Sequence, residues 1–379
     1  MKKSLSFFVT FVVFLLMLGV WTSAFAAEPT ECSETGGCAV IKPGETIKLG
    51  VAGPMTGEYA MYGSDNAESA KIAVDAMEPF NGFSFELVSE DTQGLPESAV
   101  AVASKWATDP TLVAVIGHTL SGETAAAIPI YEKARIPMLS PSATGALLTS
   151  DNTVFNRVVF TDKIQGYSSA LYIADHLKLT KVAILHDGMD YGKGIADIVR
   201  DTLVEKGIEP VAYESLSPGE ADYSAVLTSI ASKKPEIIYY GGYTAELAVI
   251  ANQLGQVGMA GIPIFSDDGA FGVEFIEKAG KNAEGVYGTS SIPPASAEKD
   301  AFDAKYLEVY GRVAGSKAGY CWFAYDSANV VASVIRKVAI LGDDGNLYVP
   351  REAMVKGVRT VSGYQGITGE ITCDENGEC

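Results

Sequence analysis

The sequence predicts an α/β protein built on doubly wound parallel sheets. Short apolar runs of strand length alternate along the chain with amphipathic stretches of helical period. The intervals between successive runs leave room for one helix each, as the crossover between two parallel strands requires. Polar, glycine-rich segments follow the runs and therefore lie at the carboxyl edge of each sheet, where such folds bind ligands. At 379 residues the chain is long enough for two domains.

The N-terminal segment predicts export. Two lysines precede an apolar run over 5–21, and Ala24-Phe25-Ala26 presents small residues at the positions that a signal peptidase reads. We therefore expect residues 1–26 to be a removable signal peptide and the mature chain to be soluble, in the periplasm or outside the cell. An uncleaved membrane anchor is the alternative, because the run is nearly long enough to span a bilayer.

The predicted strands of the mature chain are short, aliphatic or β-branched, and bounded by Gly, Pro, Asp or Ser. No repeat of constant period is visible. In chain order the strands are Ile47–Ala52, Phe83–Val88, Val113–Ile116, Met138–Ser140, Val182–His186, Ile237–Tyr240 and Pro263–Phe265.

Cysteine usage agrees with export. Cys32 and Cys38 lie six positions apart near the mature N-terminus, and Cys373 and Cys379 lie six apart at the end of the chain. The second pair flanks an Asn-Gly dipeptide, which suits a hairpin turn between paired strands. An oxidising compartment would close both local loops, and pairing between the two ends of the chain is the alternative. Cys321 has no evident partner and is predicted to be a buried thiol.

The charge balance excludes two classes of partner. The formal net charge is −19, and no basic cluster offsets it. A strongly acidic protein gains nothing from the field of nucleic acid or of an anionic membrane, so neither is an expected partner.

Two neighbouring segments predict a binding site for an anion. The apolar run over 113–117 ends in Gly117 and gives way to Ser121, which we interpret as the cap of a helix. A helix N-terminus presents unpaired backbone N–H groups and a positive dipole end, which suit a carboxylate. The loop over 141–145 follows the next strand and has small residues with free backbone polar groups. Ser121 and Thr144 acting as simple helix caps is the alternative.

Signals for catalysis or cofactors are weak. Residues 119–123 lack the first glycine of a nucleophile elbow, and neither a phosphate-binding P-loop nor a strand-following GxGxxG is present. A metal site from His186, Asp187 and Asp190 fits no recognised spacing. We therefore expect a non-enzymatic protein with no catalytic residue, no cofactor and no metal. His118 and His186 are predicted to lie in the core.

Four segments together carry a family resemblance: VIGHTLS, SPSAT, HDGMDYGKG and YYGGY. The sequence resembles the periplasmic leucine/isoleucine/valine-binding proteins of ABC importers from Ile47 to about Gly377. The resemblance implies the type I fold of periplasmic binding proteins, with two doubly wound lobes joined by a hinge. It also implies a monomeric extracytoplasmic protein that captures an amino acid, with branched-chain amino acids as the expected ligands, and hands it to a membrane permease.

The resemblance also implies roles for individual residues. Ser121 matches the serine that binds the ligand carboxylate, and Thr144 matches the threonine that contacts both carboxylate and ammonium. Asp268 stands where the family has a glutamate on the ammonium; its neighbour Asp267 in a solvated turn is the competing choice. A loop carbonyl near Ser142 accepts from the ammonium. The other expected contacts lie in the same segments or line the side-chain pocket: Leu120, Ala143, Tyr62, Tyr191, Tyr243 and Tyr320.

The expected lobes are discontinuous. Crossings near 161–163 and 292–294 assign 27–161 and 293–379 to the first lobe and 162–292 to the second. Chains of this family continue past the Asp-Glu-Asn-Gly turn with a further strand or two, whereas this one stops at Cys379. Either the second lobe lacks those strands and has an unpaired edge, or the sequence continues.

Three functional alternatives remain open from the sequence. One is binding of another small ligand, such as an amide, a γ-amino acid or an aromatic acid. The second is a sensor that serves a receptor or kinase. The third is an α/β hydrolase or oxidoreductase.

Overall fold

The computed structural model describes residues 28–379. The predicted signal peptide lies outside the described residues. Within 28–379, no helix combines the length and the apolar character needed to cross a membrane.

Strands and helices alternate along the described part of the chain. The strands are β1 (Cys38–Ile41), β2 (Ile47–Gly53), β3 (Phe85–Asp91), β4 (Leu112–Gly117), β5 (Met138–Ser140), β6 (Phe155–Arg157), β7 (Val182–His186), β8 (Ala212–Ser215), β9 (Ile237–Gly241), β10 (Ile264–Phe265), β11 (Val286–Tyr287), β12 (Ile340–Leu341), β13 (Leu347–Pro350), β14 (Tyr364–Gly366) and β15 (Gly369–Ile371).

The helices are α1 (Ala60–Asp75), α2 (Pro96–Trp106), α3 (Ser121–Ala134), α4 (Asp162–Leu171), α5 (Asp190–Glu205), α6 (Ser224–Ser232), α7 (Thr244–Gln253), α8 (Val273–Ala279), α9 (Ala297–Tyr310), α10 (Cys321–Val338) and α11 (Arg351–Arg359). A π-helical turn at Tyr172–His176 extends α4. Short 3-10 turns occupy Thr30–Ser33, Leu254–Val257, Asp268–Ala270 and Gly280–Ala283.

Two five-stranded sheets form the cores of two lobes. The first has the order β3-β2-β4-β5-β6 and the second the order β8-β7-β9-β10-β11. Every pairing within them is parallel. In each sheet the strand that comes first in the chain lies between the second and the third, which is a doubly wound order. The predicted fold class is therefore confirmed.

The central strands are apolar because helices cover both faces of each sheet. Strand β4 in the first sheet and strands β7 and β9 in the second are buried over their whole lengths. A strand of a parallel sheet shows a continuous apolar run instead of alternation for this reason. Helix α1 packs against α10 beside the first sheet, and α4 packs against α5 beside the second.

The candidate site is positioned where each strand order reverses. This point lies between β2 and β4 in the first sheet and between β7 and β9 in the second. Loops diverge there to opposite faces and leave a crevice at the carboxyl edge. The segments that open into these crevices are 118–121 after β4, 187–191 after β7 and 242–243 after β9.

The predicted strands match the observed ones in place. Met138–Ser140 and Val182–His186 coincide with β5 and β7. The largest shift is at β3, which begins at Phe85 because Phe83 forms an isolated bridge with Phe80 instead. Edge strands β6 and β8 were not predicted, since one has three residues and the other is half exposed.

Both ends of the described chain are closed by local disulfides. Cys32 pairs with Cys38 and Cys373 pairs with Cys379, while Cys321 is a buried thiol. The hairpin of paired strands expected at the second loop is wrong. The segment is a turn in which the Asp374 carboxylate accepts from two backbone N–H groups. The N–H of Cys379 donates to the Arg157 carbonyl, so the chain end runs along edge strand β6.

Candidate functional site

Helix α3 begins at the carboxyl edge of the first sheet. Ser121 is its first residue and Leu120 is the N-cap, so the prediction of Ser121 as the cap is wrong. The Glu123 side chain takes the place of a cap, because its Oε1 accepts from the N–H groups of Thr119 and Leu120 at 2.9 Å. The Ser121 hydroxyl is thereby released from capping and accepts from the N–H of Gly145 at 3.1 Å. Its own proton remains available to a ligand at the positive end of the helix.

The loop after β5 is tied to the segment that leads into α3. The Ser142 hydroxyl donates to the Thr119 carbonyl at 2.8 Å and accepts from the Asn66 amide at 2.8 Å. Asn66 lies on α1, so three elements of the first lobe meet at this hydroxyl. The Ser142 side chain is therefore occupied in holding the loop. Thr144, two residues later, is 1% exposed and also lines the crevice.

A buried arginine supports the same loop from behind. Arg157 is fully buried and donates from Nη1 to the carbonyls of Ala143 and Gly145, at 3.1 and 2.9 Å. Glu378 neutralises it, with an ion-pair distance of 2.6 Å between Nη2 and Oε1. A buried guanidinium that has both a carboxylate and carbonyl acceptors is satisfied and rigid. The loop over 141–145 is therefore fixed before any ligand contacts it.

The second lobe contributes an acidic turn. Asp268 follows β10, is 2% exposed, and accepts from the hydroxyls of Tyr191 and Tyr320, each at 2.6 Å. Tyr191 belongs to α5 of the second lobe, whereas Tyr320 precedes α10, which packs in the first lobe. Asp267 faces elsewhere: its Oδ2 accepts from the N–H of Gly242, and it lines a separate cavity. Of the two neighbours, Asp268 is the one whose side chain accepts hydrogen bonds from tyrosines of the crevice.

Tyrosine rings fill the crevice between the lobes. The Tyr243 ring lies 5.0 Å from that of Tyr59, 5.4 Å from that of Tyr62 and 5.2 Å from that of Tyr191, measured between centroids. Such edge-on and tilted contacts between aromatic rings are favourable beyond their burial. The Tyr62 hydroxyl also donates to the Gly269 carbonyl of the second lobe. The rings therefore join the lobes as well as line the crevice.

A small cavity remains where these parts meet. Its volume is about 10 Å³, which is close to the space of one ordered water. An amino acid therefore enters this arrangement only when the lobes or the rings move apart. The cavity is lined by Tyr62, Thr119, Leu120, Ser121, Ser142, Thr144, Tyr191, Tyr243 and Tyr320.

The electrostatics of the crevice are dominated by buried acids. Burial raises the pKa of Asp268, and the hydrogen bonds from its two tyrosine partners oppose that rise. Burial also raises the pKa of Asp267 well above its usual range, and the charge of Asp268 adds to the effect. Burial raises the pKa of Asp162 to about 8, again with a contribution from Asp268. Ionising these groups together is costly without a nearby cation, so the site favours a positively charged ligand group.

The structure brings together most of the residues expected to contact a ligand. Two of them do not line the cavity: Asp268 lies one layer behind the hydroxyls of Tyr191 and Tyr320, and the Ala143 carbonyl is engaged by Arg157. The expected contacts that do line it are Leu120, Ser121, Ser142, Thr144, Tyr62, Tyr191, Tyr243 and Tyr320.

Three residues of the site were not predicted. Thr119 lies in the same segment as Ser121 and could have been included on position alone. Arg157 and Asp162 flank the passage from β6 to α4, and the only sequence signal was a charged residue directly after a short apolar run and another at a helix start. Neither signal predicts that these two side chains are buried, because their burial depends on contacts with the second lobe and with the C-terminal segment.

The site does not contain the arrangement of a nucleophilic enzyme. The partner of the Ser121 hydroxyl is a backbone N–H, whereas a nucleophile needs a base within hydrogen-bond reach. His118 lies in the core beside the Tyr131 hydroxyl at 3.1 Å, and burial lowers its pKa to about 3. His186 accepts from the N–H of Gly188 at 3.0 Å. Within residues 28–379, no group of three or more His, Cys, Asp or Glu side chains is arranged to hold a metal ion.

Two bacterial amino-acid-binding proteins align with most of this chain. The leucine-, isoleucine-, valine-, threonine- and alanine-binding protein of Pseudomonas aeruginosa is 30% identical over 343 residues, which cover 88% of this chain and 87% of that protein. The Leu/Ile/Val-binding protein of Escherichia coli is 29% identical, with 88% of each chain covered.

Solved structures agree with the fold. A leucine-binding protein from Thermotoga maritima has a TM-score of 0.79 at 29% identity and covers 88% of this chain and 92% of its own. A branched-chain amino acid transporter substrate-binding protein from Streptococcus pneumoniae, in complex with isoleucine, has a TM-score of 0.78 at 29% identity and covers 88% and 93%. The family model described as periplasmic binding protein matches residues 46–378. With both lobes, the crevice and this match in agreement, the chain belongs to the periplasmic binding protein family.

Proposed function

We propose that this protein captures an amino acid, branched-chain ones included, in the crevice between its lobes and delivers it to an ABC importer. The observation that carries the proposal is that one cavity has donors for a carboxylate and, directly behind two of its tyrosines, a buried acid for an ammonium. Ser121 and Thr144 line it from the first lobe, and Asp268 closes it from the second through Tyr191 and Tyr320.

The carboxylate end is built on the first lobe. The Ser121 hydroxyl and the free N–H groups of the first turn of α3 converge on it, beside Thr144. Hydrogen bonds to an ionised carboxylate are stronger than neutral ones, and the positive end of the helix adds to them. Because Glu123 already occupies the N–H groups of Thr119 and Leu120, those of the following residues remain for the ligand.

The ammonium end is built mainly on the second lobe. A buried ammonium needs a carboxylate partner, since an unpaired buried charge is too costly to retain. Asp268 supplies it, and the two tyrosine hydroxyls that donate to it hold its orientation. The aspartate arm is shorter than the glutamate of the family pattern, and the hydroxyls of Tyr191 and Tyr320 lie between Asp268 and the cavity.

The aromatic rings suit the rest of the ligand. Tyr62, Tyr191, Tyr243 and Tyr320 line the cavity, and the hydroxyls of Tyr62, Tyr191 and Tyr320 are hydrogen-bonded within the protein. An aliphatic side chain is accommodated by such rings without an unpaired polar group. The names of the relatives support branched-chain amino acids, threonine and alanine as the ligands to test first.

Ligand capture requires lobes that move. We assign 27–161 and 293–379 to the first lobe and 162–292 to the second. Support comes from β6, which pairs in the first sheet while the next helix, α4, packs against α5 of the second lobe. Strand β11 pairs in the second sheet, whereas α10 packs against α1 of the first. A ligand that contacts both lobes stabilises the closed arrangement, and X-ray scattering with and without saturating ligand measures the change.

The proposal also covers where the protein acts, what it delivers the ligand to, and that it binds without catalysis. Membership of the periplasmic binding protein family supports an exported protein, periplasmic or extracellular, that acts as a monomer and docks on a membrane permease. The lack of a base beside Ser121 supports a binding role without turnover. A turnover assay with a panel of esters, amides and cofactors tests the hydrolase and oxidoreductase alternatives.

The deciding experiment is calorimetric titration of the mature chain after unfolding and refolding, which removes any ligand that copurifies. The panel contains leucine, isoleucine, valine, threonine and alanine, together with a γ-amino acid, an amide, an aromatic acid and the 2-hydroxy acid that matches valine. Binding of an amino acid with rejection of the hydroxy acid supports the proposal. Binding of an aromatic acid or an amide alone would replace the amino acid with that ligand. A sensor role predicts normal binding but no loss of uptake when the gene is deleted.

A further inference from the structure

A buried carboxyl group at the start of α4 has no hydrogen-bond partner. Asp162 is 1% exposed, and neither of its oxygens is bonded within the described residues. Gln165, on the same face of the helix, is 4% exposed, and both polar atoms of its amide are also unpartnered. Buried polar side chains are nearly always hydrogen-bonded, and one that is not calls for a specific explanation.

These two side chains adjoin the ammonium end of the cleft. The N–H of Asp162 donates to the carbonyl of Thr144 at 3.0 Å, and Thr144 lines the cavity. The charge of Asp268 raises the pKa of the Asp162 carboxyl, whereas the Thr144 hydroxyl, within reach of only a weak hydrogen bond, lowers it. The Gln165 amide is within similarly weak reach of Asp268 and lowers the pKa of that carboxyl. Asp162 therefore sits at the passage between the lobes and beside the proposed ligand.

A role confined to stabilising α4 explains why Asp162 lies in the first turn of the helix, but not why its carboxyl is buried and unbonded. Acidic residues are common in the first turn of a helix, where the dipole stabilises their charge. At α4 the capping is done by Thr161, whose hydroxyl accepts from the N–H of Lys163 at 3.0 Å. An acid that served the helix alone would be exposed or bonded to such N–H groups. Asp162 is neither.

We infer that Asp162 is a second carboxylate for the ammonium group of the ligand, beside Asp268, and that the Gln165 oxygen is a further acceptor there. The inference rests on the proposed function and deepens it. A primary ammonium has three N–H donors, and these groups offer one acceptor to each. The ligand class is accordingly a primary amine with an adjacent carboxylate. An isostere without the ammonium, such as a 2-hydroxy acid, would leave two buried acids without a cationic partner and is rejected for that reason.

Ligand binding then displaces a proton. Asp162, with its pKa raised by burial to about 8, holds a proton at neutral pH, and an ammonium placed beside it favours the ionised form. The proton leaves to solvent, so affinity rises as the pH rises toward 8. The charged and titratable groups that face Asp162 lie on β6, after β10, on α5 and on β9, and are Arg157, Asp267, Asp268, Tyr191 and Tyr239.

The test compares Asp162→Asn with the wild type and with Asp326→Asn. Asp326 is equally buried but bonds to the N–H groups of Ile367 and Thr368, away from the cleft. Calorimetry with the best amino acid ligand at pH 6.5, in two buffers of different ionisation enthalpy, gives the dissociation constant and the number of protons released. For Asp162→Asn we expect binding weaker by about 10- to 100-fold and about one proton fewer released. Asp326→Asn is expected to match the wild type in both.

Each outcome has a distinct meaning. Unchanged affinity in folded Asp162→Asn, or weaker binding with an unchanged proton count, overturns the inference. If the wild type binds no amino acid, the proposed function fails instead. Circular dichroism checks folding, and Asp162→Ala, which removes an unbonded group without adding an amide, replaces the first variant if that one does not fold.

Discussion

Replacing Asp268 by asparagine tests the ammonium end of the site with the least change in shape. The carboxylate is 2% exposed and accepts two tyrosine hydroxyls. Asparagine has the same size and retains one oxygen, so one of the two hydroxyls keeps its acceptor. The other hydroxyl, on Tyr191 or Tyr320, meets the NH2 group, which donates a hydrogen bond to the hydroxyl oxygen. The fold should therefore survive, and the altered quantity is the charge that faces the ligand.

The expected loss of affinity follows from that charge. Removing one partner of a buried ion pair costs about 3 to 5 kcal/mol, because the other charge stays buried without compensation. At about 1.4 kcal/mol per decade this corresponds to two to three and a half decades in the dissociation constant. The Asp162 carboxyl next to Asp268 still faces the ammonium, so we expect the lower part of that range, about 100- to 1000-fold.

The matched control is the neighbouring residue. Asp267 is 1% exposed, accepts from the N–H of Gly242 and lines a different cavity from the one between the lobes. Calorimetry on Asp267→Asn should give an affinity within about threefold of the wild type, since an amide oxygen still serves Gly242. The reasoning is refuted if Asp267→Asn loses affinity while Asp268→Asn keeps it, or if both bind as the wild type does.

Further predictions concern the carboxylate end, the aromatic pocket and pH. Ser121→Ala should weaken binding by about 1.5 to 3 kcal/mol, less than Asp268→Asn, because the N–H groups of α3 remain; calorimetry showing no change would argue against the hydroxyl as a ligand. Tyr243→Ala removes the ring that contacts three others and should shift the affinity order of a ligand panel toward larger side chains; an unchanged order contradicts this packing. Burial raises the pKa of Glu123 to about 7, so the folded state binds more protons than the unfolded state between about pH 4.5 and 7, and stability falls as the pH rises through that window. Denaturant melts of Glu123→Gln, whose amide oxygen still serves the backbone N–H groups, should show a shallower fall; equal slopes would exclude Glu123 as the cause.

The two sheets could be predicted because each central strand is recognisable from its own short run of apolar residues. A run such as VAVIG or VAILH is apolar over its whole length only where helices cover both faces, and both became central strands. Edge strands lack that signal. Strand β8 is half exposed, and β6 has three residues ending in a charged one, so neither is distinguishable from loop by pattern. Their place depends on pairing with distant chain segments.

The sequence indicated most of the residues that surround the candidate site, but not the hydrogen bonds and side-chain directions within it. Ser121 was identified correctly as part of a helix start, yet its capping role went to Glu123, whose side chain reaches back to two N–H groups. Asp268 was preferred to Asp267 only through the family resemblance, because no local pattern encodes the directions of adjacent side chains. Asp162 was missed for a deeper reason: its carboxyl has meaning only because it is buried and unbonded, and both properties arise when two lobes and a loop meet.

The C-terminal segment supports the loop over 141–145 from behind. Glu378 lies within the loop closed by Cys373 and Cys379, and it bonds both to Arg157 and to the Thr149 hydroxyl. Arg157 in turn holds the loop over 141–145. For protein engineering, a fusion partner or affinity tag that disturbs residues 373–379 would loosen the binding loop, so labels and immobilisation linkers belong away from this segment.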